Sequence, residues 1–250
     1  GKTNRISCKK QDGICYNSCM NQETFKQTLS VFTTRDLNVV TTQFETYLTH
    51  LVEVNKVMNL TAITDPDEVY EKHFLDCALI APYLKAGDKV ADVGSGAGFP
   101  GLPLAILRED VSFTLIEPTA KRCTFLNKVI KALQLTNVTV INDRSENLTN
   151  LRQAYDVVTA RAVAPLPVLL ELCVPLVKVD GLMIAMKGQK ALEELEEAKT
   201  ALKRLYLSVI EAKPVELPSA GLRYNLIFKK DKATDSVYPR PYNQIKKKPL

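Results

Sequence analysis

The 250-residue sequence contains no apolar run that approaches the length of a membrane span, which argues against a transmembrane role. Its first residues are polar and lack an apolar core segment, so no secretory signal is expected. Histidine is scarce, with two residues in the chain, and neither lies near the cluster of Cys8, Cys15 and Cys19. The C-x6-C-x3-C spacing of that cluster fits no common zinc pattern, and we expect no bound metal.

The other three cysteines and the first nineteen residues support two further expectations. Cys77, Cys123 and Cys173 lie in apolar or helical surroundings and look like small core residues of a protein in a reducing compartment, the cytoplasm. Residues 1–19 have no hydrophobic periodicity, and Met20 opens a stretch that reads like a natural start. We interpret residues 1–19 as an expression leader or a disordered extension.

The net charge of +5 is concentrated at the two ends of the chain. Residues 229–250 contain seven Lys or Arg against two Asp, and residues 1–19 contain four against one. The part between them is mildly acidic, so no basic stripe across the fold is expected. Two basic ends suit peripheral contacts with an anionic partner, and they equally suit two solvated tails.

Two types of periodicity divide the rest of the chain. Residues 20–85 carry apolar residues mostly at helical spacing, which predicts a helical cap. From Lys89, apolar strands alternate with helices, and the series closes with two strands joined by a Pro-Ser-Ala-Gly turn. This pattern predicts an α/β, Rossmann-like domain over residues 86–230, with a seven-stranded, mostly parallel sheet that ends in an antiparallel hairpin. Such a hairpin is typical of class I methyltransferases, and a basic tail follows over residues 231–250.

The helices predicted within this α/β part differ in the strength of their pattern. The strongest is an amphipathic helix over residues 189–207, with glutamates early and Lys203 and Arg204 late, as the helix dipole prefers. The others are predicted at about residues 101–107, 119–133, 147–153 and 168–176.

The segment VADVGSGAGFPG, residues 90–101, holds four of the ten glycines directly after an apolar strand. Read from Gly96 it gives G-x-G-x-x-G, the dinucleotide pattern, and read from Asp92 it gives D-x-G-x-G-x-G, the pattern of S-adenosylmethionine enzymes. Pro100 removes one N–H group that a pyrophosphate would use. The Asp92 carboxylate would repel a diphosphate and attract the ammonium group of S-adenosylmethionine. The segment therefore favours S-adenosylmethionine over NAD.

Acidic residues follow the next two strands, where a nucleoside would lie. Glu117 ends the second strand and is expected to accept hydrogen bonds from ribose hydroxyls, which suits either cofactor. Ser145 and Glu146 follow the third strand, where they would either contact an adenine edge or form a simple helix cap. The sequence leaves these two alternatives open.

Two catalytic motifs are absent. No N/D-P-P-Y-like motif, which amine methylation commonly uses, follows the fourth strand, and no cysteine stands after a proline, as carbon-5 pyrimidine methylation would require. These absences favour an in-ring nitrogen such as guanine N7, which already offers a lone pair, so that catalysis reduces to positioning and electrostatics. Arg161 follows the fourth strand and would hold the purine edge or a phosphate, or else form an ion pair with Asp92 or Glu146.

Several motifs together resemble the GidB/RsmG family of bacterial 16S rRNA guanine-N7 methyltransferases. The step His73-Phe74-x-Asp76 lies within a stretch similar to the family's amino-terminal signature, and Phe99-Pro100-Gly101 is more specific than the glycines before it. The segments EPTAKRCTFL, RSENL, ARAVAPL and MKGQ and the ending YPRPYNQIKKKPL follow in the expected order. The resemblance covers about residues 45–250.

The resemblance implies S-adenosylmethionine as methyl donor and 16S rRNA, or the small ribosomal subunit, as substrate. Carried over by position, the cofactor contacts are Asp92, Gly94, Gly96, Gly98, Phe99, Glu117, Ser145, Glu146 and Arg161. The catalytic candidates are Arg161, His73 and Asp76, the last two lying over the cofactor mouth unless they are a packed histidine and a helix-surface carboxylate. The candidate RNA contacts are Lys229, Lys230, Lys232, Arg240, Lys246, Lys247 and Lys248.

Two other functions remain as alternatives. A small-molecule methyltransferase on the same fold would not depend on the basic tail, whereas an RNA methyltransferase would. A non-catalytic RNA-binding or ribosome-binding module would fail to bind S-adenosylmethionine. A monomer is favoured for the main interpretation.

Overall fold

The computed structural model describes residues 9–11, 14–16, 20–161 and 163–250. Within the first nineteen residues, strands β1 (Lys9–Gln11) and β2 (Ile14–Tyr16) pair antiparallel. The rest of that segment, including Cys8 and Cys19, lies outside the described residues. The interpretation of residues 1–19 as a leader or a disordered extension falls on this part of the chain and stays a prediction. No helix in the described ranges is both long and apolar enough to cross a membrane.

The main sheet has seven strands in the order β5-β4-β3-β6-β7-β9-β8. The first five strands in this order are parallel, and β7, β9 and β8 pair antiparallel. This arrangement confirms the predicted Rossmann-like sheet with its terminal hairpin. The strands are β3 (Lys89–Val93), β4 (Ser112–Ile116), β5 (Val138–Ile141), β6 (Tyr155–Arg161), β7 (Val177–Lys187), β8 (Leu207–Leu217) and β9 (Gly221–Lys230).

Helices cover both faces of the sheet because successive side chains of each strand point to opposite faces. Val90 packs into the cluster that contains the helices following β3 and β4, whereas Ala91 packs into the cluster that contains the helices following β6 and β7. These helices are α5 (Gly101–Leu107), α6 (Ala120–Ala132), α7 (Leu166–Cys173), α8 (Ala191–Glu197) and α9 (Lys199–Arg204).

The amino-terminal cap is helical and shares a core with one face of the sheet. Phe25, Phe44, Tyr47 and Phe74 are fully buried in the same cluster as Leu102 of α5. Cap and sheet therefore fold around one continuous apolar core. The cap consists of α1 (Gln22–Leu29), α2 (Leu37–Met58), α3 (Pro66–Val69), a π-helical turn at Tyr70–Leu75, α4 (Asp76–Ala78) and a 3-10 turn at Ala81–Tyr83.

Two predicted helices differ from the observed elements. The single amphipathic helix predicted over residues 189–207 is divided at Ala198, whose φ of −89° and ψ of 5° leave the helical region. Ala198, Ala201 and Leu205 are all fully buried, so the bend keeps both halves on the sheet. The helix predicted over residues 147–153 is instead a pair of 3-10 turns, Ser145–Asn147 and Thr149–Leu151.

The basic tail is packed against the α/β domain rather than extended into solvent. Arg152 donates hydrogen bonds to the carbonyls of Thr234, Asp235 and Tyr238. The guanidinium of Arg240 pairs with Glu171, a fully buried carboxylate on α7. A final helix, α10 (Tyr242–Lys247), buries Ile245 in the cluster around α7. The segment is therefore anchored to the domain, while most of its lysines stay exposed to solvent.

Candidate active site

The glycine segment forms the turn between β3 and α5. Gly94, Gly96 and Gly98 have φ angles of +69°, +58° and +108°, in the region that glycine occupies without steric cost. A Cβ added to Gly96 would meet no atom nearer than 4.0 Å, so the space beside this residue is open. The turn therefore presents backbone that a ligand can approach closely.

Asp92 makes its direct contacts within the protein. Its side chain is fully buried, and its Oδ2 accepts a hydrogen bond of 3.0 Å from the N–H of Gly101 at the start of α5. The Thr159 hydroxyl lies 3.2 Å from Oδ1. Burial raises the pKa of Asp92 to about 7, and the bond from Gly101 opposes that shift. The carboxylate faces inward and holds the turn, so its direct contacts are with the protein, and the expected attraction of an ammonium group stays a prediction.

Glu117 lies beside the glycine turn, because the ends of adjacent parallel strands meet at one edge of the sheet. It is buried, and its two oxygens accept hydrogen bonds from the N–H groups of Gly96, at 3.0 Å, and Thr119, at 2.7 Å. An ionised carboxylate offers about four acceptor positions, of which Gly96 and Thr119 use two, and Nη1 of Arg122 lies 3.8 Å from Oε1.

The segment after β5 bears on the two alternatives for Ser145 and Glu146. The capping position of the 3-10 turn is Arg144, and no side chain caps it, so the helix-cap alternative is wrong. Ser145 is buried, and Glu146 pairs with the Arg144 guanidinium, which also lies 3.9 Å from the ring centroid of Tyr242 in α10. The segment is thus held between the sheet edge and the tail.

His73 is enclosed between the glycine turn and Arg161. Its ring stacks on Phe99 at 4.4 Å with an angle of 14°. Nδ1 lies 2.5 Å from Nη2 of Arg161, and Nε2 lies 2.8 Å from the Thr61 hydroxyl. Because a guanidinium only donates, Nδ1 must accept, which assigns a neutral ring with its proton on Nε2. Burial and the nearby Arg161 charge lower the pKa of His73 to about 3.

Asp76 is a buried ion-pair partner rather than a helix-surface carboxylate. Its Oδ2 lies 2.9 Å from Nη1 of Arg223 and 3.5 Å from Nη1 of Arg161. Burial raises its pKa, and the two arginines oppose that shift. The alternative in which Arg161 pairs with Asp92 or Glu146 is wrong, since its ion-pair partner is Asp76.

Arg223 is a site residue that the sequence analysis missed. It lies on β9, and with Arg161 and Asp76 it borders a cavity of about 200 Å³. The available signal was the alternation of RYNLIFKK, which places Arg223 and Asn225 on the same face of the strand. The cavity is lined by Asp76, Arg161, Met186, Lys187, Gly188, Glu194, Arg223 and Asn225.

The candidate RNA contacts divide into exposed and buried groups. Lys230 is fully buried, and its Nζ donates hydrogen bonds to the carbonyls of Val174 and Val177, so its assignment as an RNA contact is wrong. Arg240 is engaged with Glu171. Lys229 is partly exposed near Asp180 and Asp231. The exposed candidates are Lys232, Lys246, Lys247 and Lys248.

Comparison with known proteins identifies the family. The family model described as rRNA small subunit methyltransferase G matches residues 40–219. The chain belongs to this family. A relative from Lactobacillus delbrueckii subsp. bulgaricus, named ribosomal RNA small subunit methyltransferase G, is 44% identical over 92% of this chain and 100% of its own length. A relative of the same name from Staphylococcus aureus is 46% identical over 83% of this chain and 89% of its own length.

Solved structures support the fold of this methyltransferase family member. The M. jannaschii TYW2 in complex with AdoMet is 18% identical, has a TM-score of 0.52, and matches 63% of this chain and 76% of its own. A SAM-dependent methyltransferase from Aquifex aeolicus is 19% identical, has a TM-score of 0.51, and matches 65% and 93% of the two chains. Both likenesses agree with the seven-stranded sheet and confirm a class I methyltransferase fold.

The methyltransferase family implies S-adenosylmethionine as the methyl donor, and the residues at the sheet edge fit it. The open side of Gly96 leaves room for the donor against backbone, and the buried Glu117 carboxylate accepts the N–H of that same residue. Ser145 and Glu146 follow the neighbouring strand at the same edge. When bound, the donor supplies an activated methyl group, and the protein supplies the surface that orients it.

Proposed function

We propose that this methyltransferase transfers a methyl group from S-adenosylmethionine to N7 of a guanine in 16S rRNA of the small ribosomal subunit. Transfer is direct and uses no general base. Gly94, Gly96, Gly98 and Phe99 border the donor, Glu117 accepts from its ribose, and Ser145 and Glu146 lie on its adenine side. The family and the rRNA named by its members support the substrate class.

The observation that carries the mechanism is that His73 and Asp76 each face a guanidinium, while Glu194, the other carboxylate lining the cavity, faces Lys187. The acceptor nitrogen of His73 faces Arg161, and the Asp76 carboxylate faces Arg161 and Arg223. Arg161 opposes proton uptake at Nδ1 of His73, and Arg161 and Arg223 both face Oδ2 of Asp76. Guanine N7 carries a lone pair at neutral pH and needs no deprotonation, so this arrangement suits it.

The acceptor nucleotide enters the cavity beside Arg161 and Arg223. Both guanidinium groups offer donors that match guanine O6 or a phosphate oxygen, and Asp76 holds the two in position. Orientation of the purine edge supplies the in-line geometry of methyl transfer. His73 and Phe99 stack behind Arg161 and limit its movement.

The exposed lysines of the tail bind RNA phosphates outside this cavity. Lys246, Lys247 and Lys248 are exposed at the end of α10, whose Ile245 anchors the helix to the α/β domain. Phosphate contacts of this kind supply affinity that decreases with salt and carry no base specificity.

The test is methyl transfer from labelled S-adenosylmethionine to 16S rRNA, as naked RNA and in the small subunit, followed by mapping of the modified base. The proposal expects a single labelled guanine with the methyl on N7. Label on an exocyclic amine, a ribose or a carbon would contradict the proposed mechanism. Label on a small molecule with none on RNA would favour the small-molecule alternative.

A further inference from the structure

Tyr47 of α2 makes a direct polar contact from the cap to the glycine turn. Its side chain is fully buried, and its hydroxyl donates a hydrogen bond of 2.5 Å to the carbonyl of Ala97. Ala97 lies between Gly96 and Gly98, in the middle of the turn that faces the donor. The contact joins two segments that are 50 residues apart.

The tyrosine ring is held so that its hydroxyl has one position. It stacks on Phe74 at 5.2 Å with an angle of 28°, and it lies 5.8 Å from Phe99. On the other side, a Cβ added to Gly98 would lie 2.5 Å from the hydroxyl oxygen. The phenol therefore fits the space that Gly98 leaves, and the Ala97 carbonyl meets a donor of fixed direction.

Without this hydroxyl, the Ala97 carbonyl would face a buried apolar surface with no donor from Tyr47. The N–H of the same peptide, from Gly98, donates a hydrogen bond of 2.8 Å to the Ser95 carbonyl, so the Tyr47 hydroxyl is the second of two anchors. With one anchor left and a glycine at position 98, the Ala97–Gly98 peptide could populate other orientations. Such reorientation would loosen the turn one residue away from Gly96, whose N–H donates to Glu117. Only a fraction of the molecules would keep the binding geometry, and the apparent affinity would decrease by that fraction.

We propose that Tyr47 is a positioning residue for the methyl-donor site and that its hydroxyl selects the binding conformation of the glycine turn. The inference rests on the turn being the donor site and does not depend on which RNA base is methylated. It assigns the cap a role in donor binding in addition to its contact with the acceptor cavity through Asp76.

The test compares Tyr47→Phe with Tyr70→Phe in the full chain. Tyr70 belongs to the same aromatic cluster, with its ring 5.6 Å from Phe74, but it makes no hydrogen bond to the turn among the described residues. Tyr47→Phe is expected to raise the Kd for S-adenosylmethionine about three- to tenfold by calorimetry. The KM for the donor should rise equally with kcat at saturation retained, and turn amides should exchange faster in the ligand-free chain. Tyr70→Phe should leave the Kd within about twofold.

Three outcomes would overturn the inference. Tyr47→Phe could bind the donor as tightly as the unaltered chain does. Tyr70→Phe could weaken binding equally, which would indicate a general effect of the cap core. An unaltered chain that binds no S-adenosylmethionine would remove the donor site itself, whereas methylation of another base would contradict the proposed function and leave this inference standing.

Discussion

The donor side and the acceptor side of the proposed active site are built in different ways. On the donor side, the main contacts come from one turn, residues 92–101, and from Glu117 at the end of the adjacent strand. On the acceptor side, Asp76 comes from the cap, Arg161 from β6 and Arg223 from β9, segments up to 147 positions apart. The donor side is mainly backbone, and the acceptor side is mainly buried charge.

This difference shows how each side is stabilised. A glycine turn keeps its shape through local hydrogen bonds, such as those from Gly98 and Phe99 N–H to the Ser95 carbonyl. Arg161 and Arg223 keep their positions only because the cap, the sheet and the terminal hairpin meet around Asp76. Breaking a buried ion pair by removing one partner is costly, so the acceptor side depends on the complete tertiary fold.

The largest expected effect is that of replacing Arg223, which should impair methyl transfer while donor binding is retained. Arg223→Ala removes a cavity donor while the glycine turn stays intact, so we expect methyl transfer to decrease about a hundredfold. The Kd for S-adenosylmethionine should change by less than about threefold. Single-turnover kinetics and calorimetry measure the two quantities, with Arg204→Ala, an exposed arginine on α9, as the control. An equal loss of donor affinity would show that the two sides are not separable.

The tail should affect RNA binding and neither side of the cavity. Combined Lys246→Ala, Lys247→Ala and Lys248→Ala is expected to reduce the salt slope of RNA binding by about one for each lysine that contacts a phosphate. Substitution is preferable to truncation, because Tyr238, Arg240 and Ile245 hold the tail on the domain.

Lys230→Met is the matched control for the tail lysines. Lys230 lies close to them in sequence but is buried, so its replacement should lower stability and leave the salt slope unchanged. A slope that changes with Lys230→Met but not with the triple variant would contradict the assignment of the RNA contacts.

The smallest expected effect concerns the free energy of unfolding, which should depend on pH through His73 on the acceptor side. Its pKa is about 3 in the folded chain against an ordinary 6.5, so the unfolded chain binds the proton more readily. This contribution is complete above pH 6.5 and is lost as the pH decreases toward 3. Denaturant titrations across this range should show that the free energy of unfolding decreases more steeply with falling pH in the unaltered chain than in His73→Gln. Parallel curves for the two proteins would contradict it.

Local patterns in the sequence were sufficient to predict the sheet, the glycine turn and the position of Glu117. Strand and helix periodicities and glycine conformations are set by near neighbours, and parallel strand ends meet at one edge. The break at Ala198 could not be predicted, because Glu and Lys spacing continues across it and the bend depends on packing against the sheet.

Charged residues of the acceptor side and the tail were harder to predict, because their burial and their partners also depend on distant segments. Lys229 and Lys230 look alike in sequence, but alternation along β9 leaves one partly exposed and buries the other beneath carbonyl acceptors. Arg223 was missed because its partner, Asp76, lies in the cap. Asp92 was placed correctly beside the turn, but its inward orientation follows from Gly101 and Thr159, which the pattern does not reveal.

The most direct test of base-free transfer is the pH dependence of single-turnover methylation. With saturating S-adenosylmethionine and small ribosomal subunits, the rate should be constant between about pH 6 and 8.5, because no group has to lose a proton. A logarithmic rate that rises with slope one through neutral pH, and does so equally in Asp92→Asn, would show that a base is deprotonated first, and it would contradict the account.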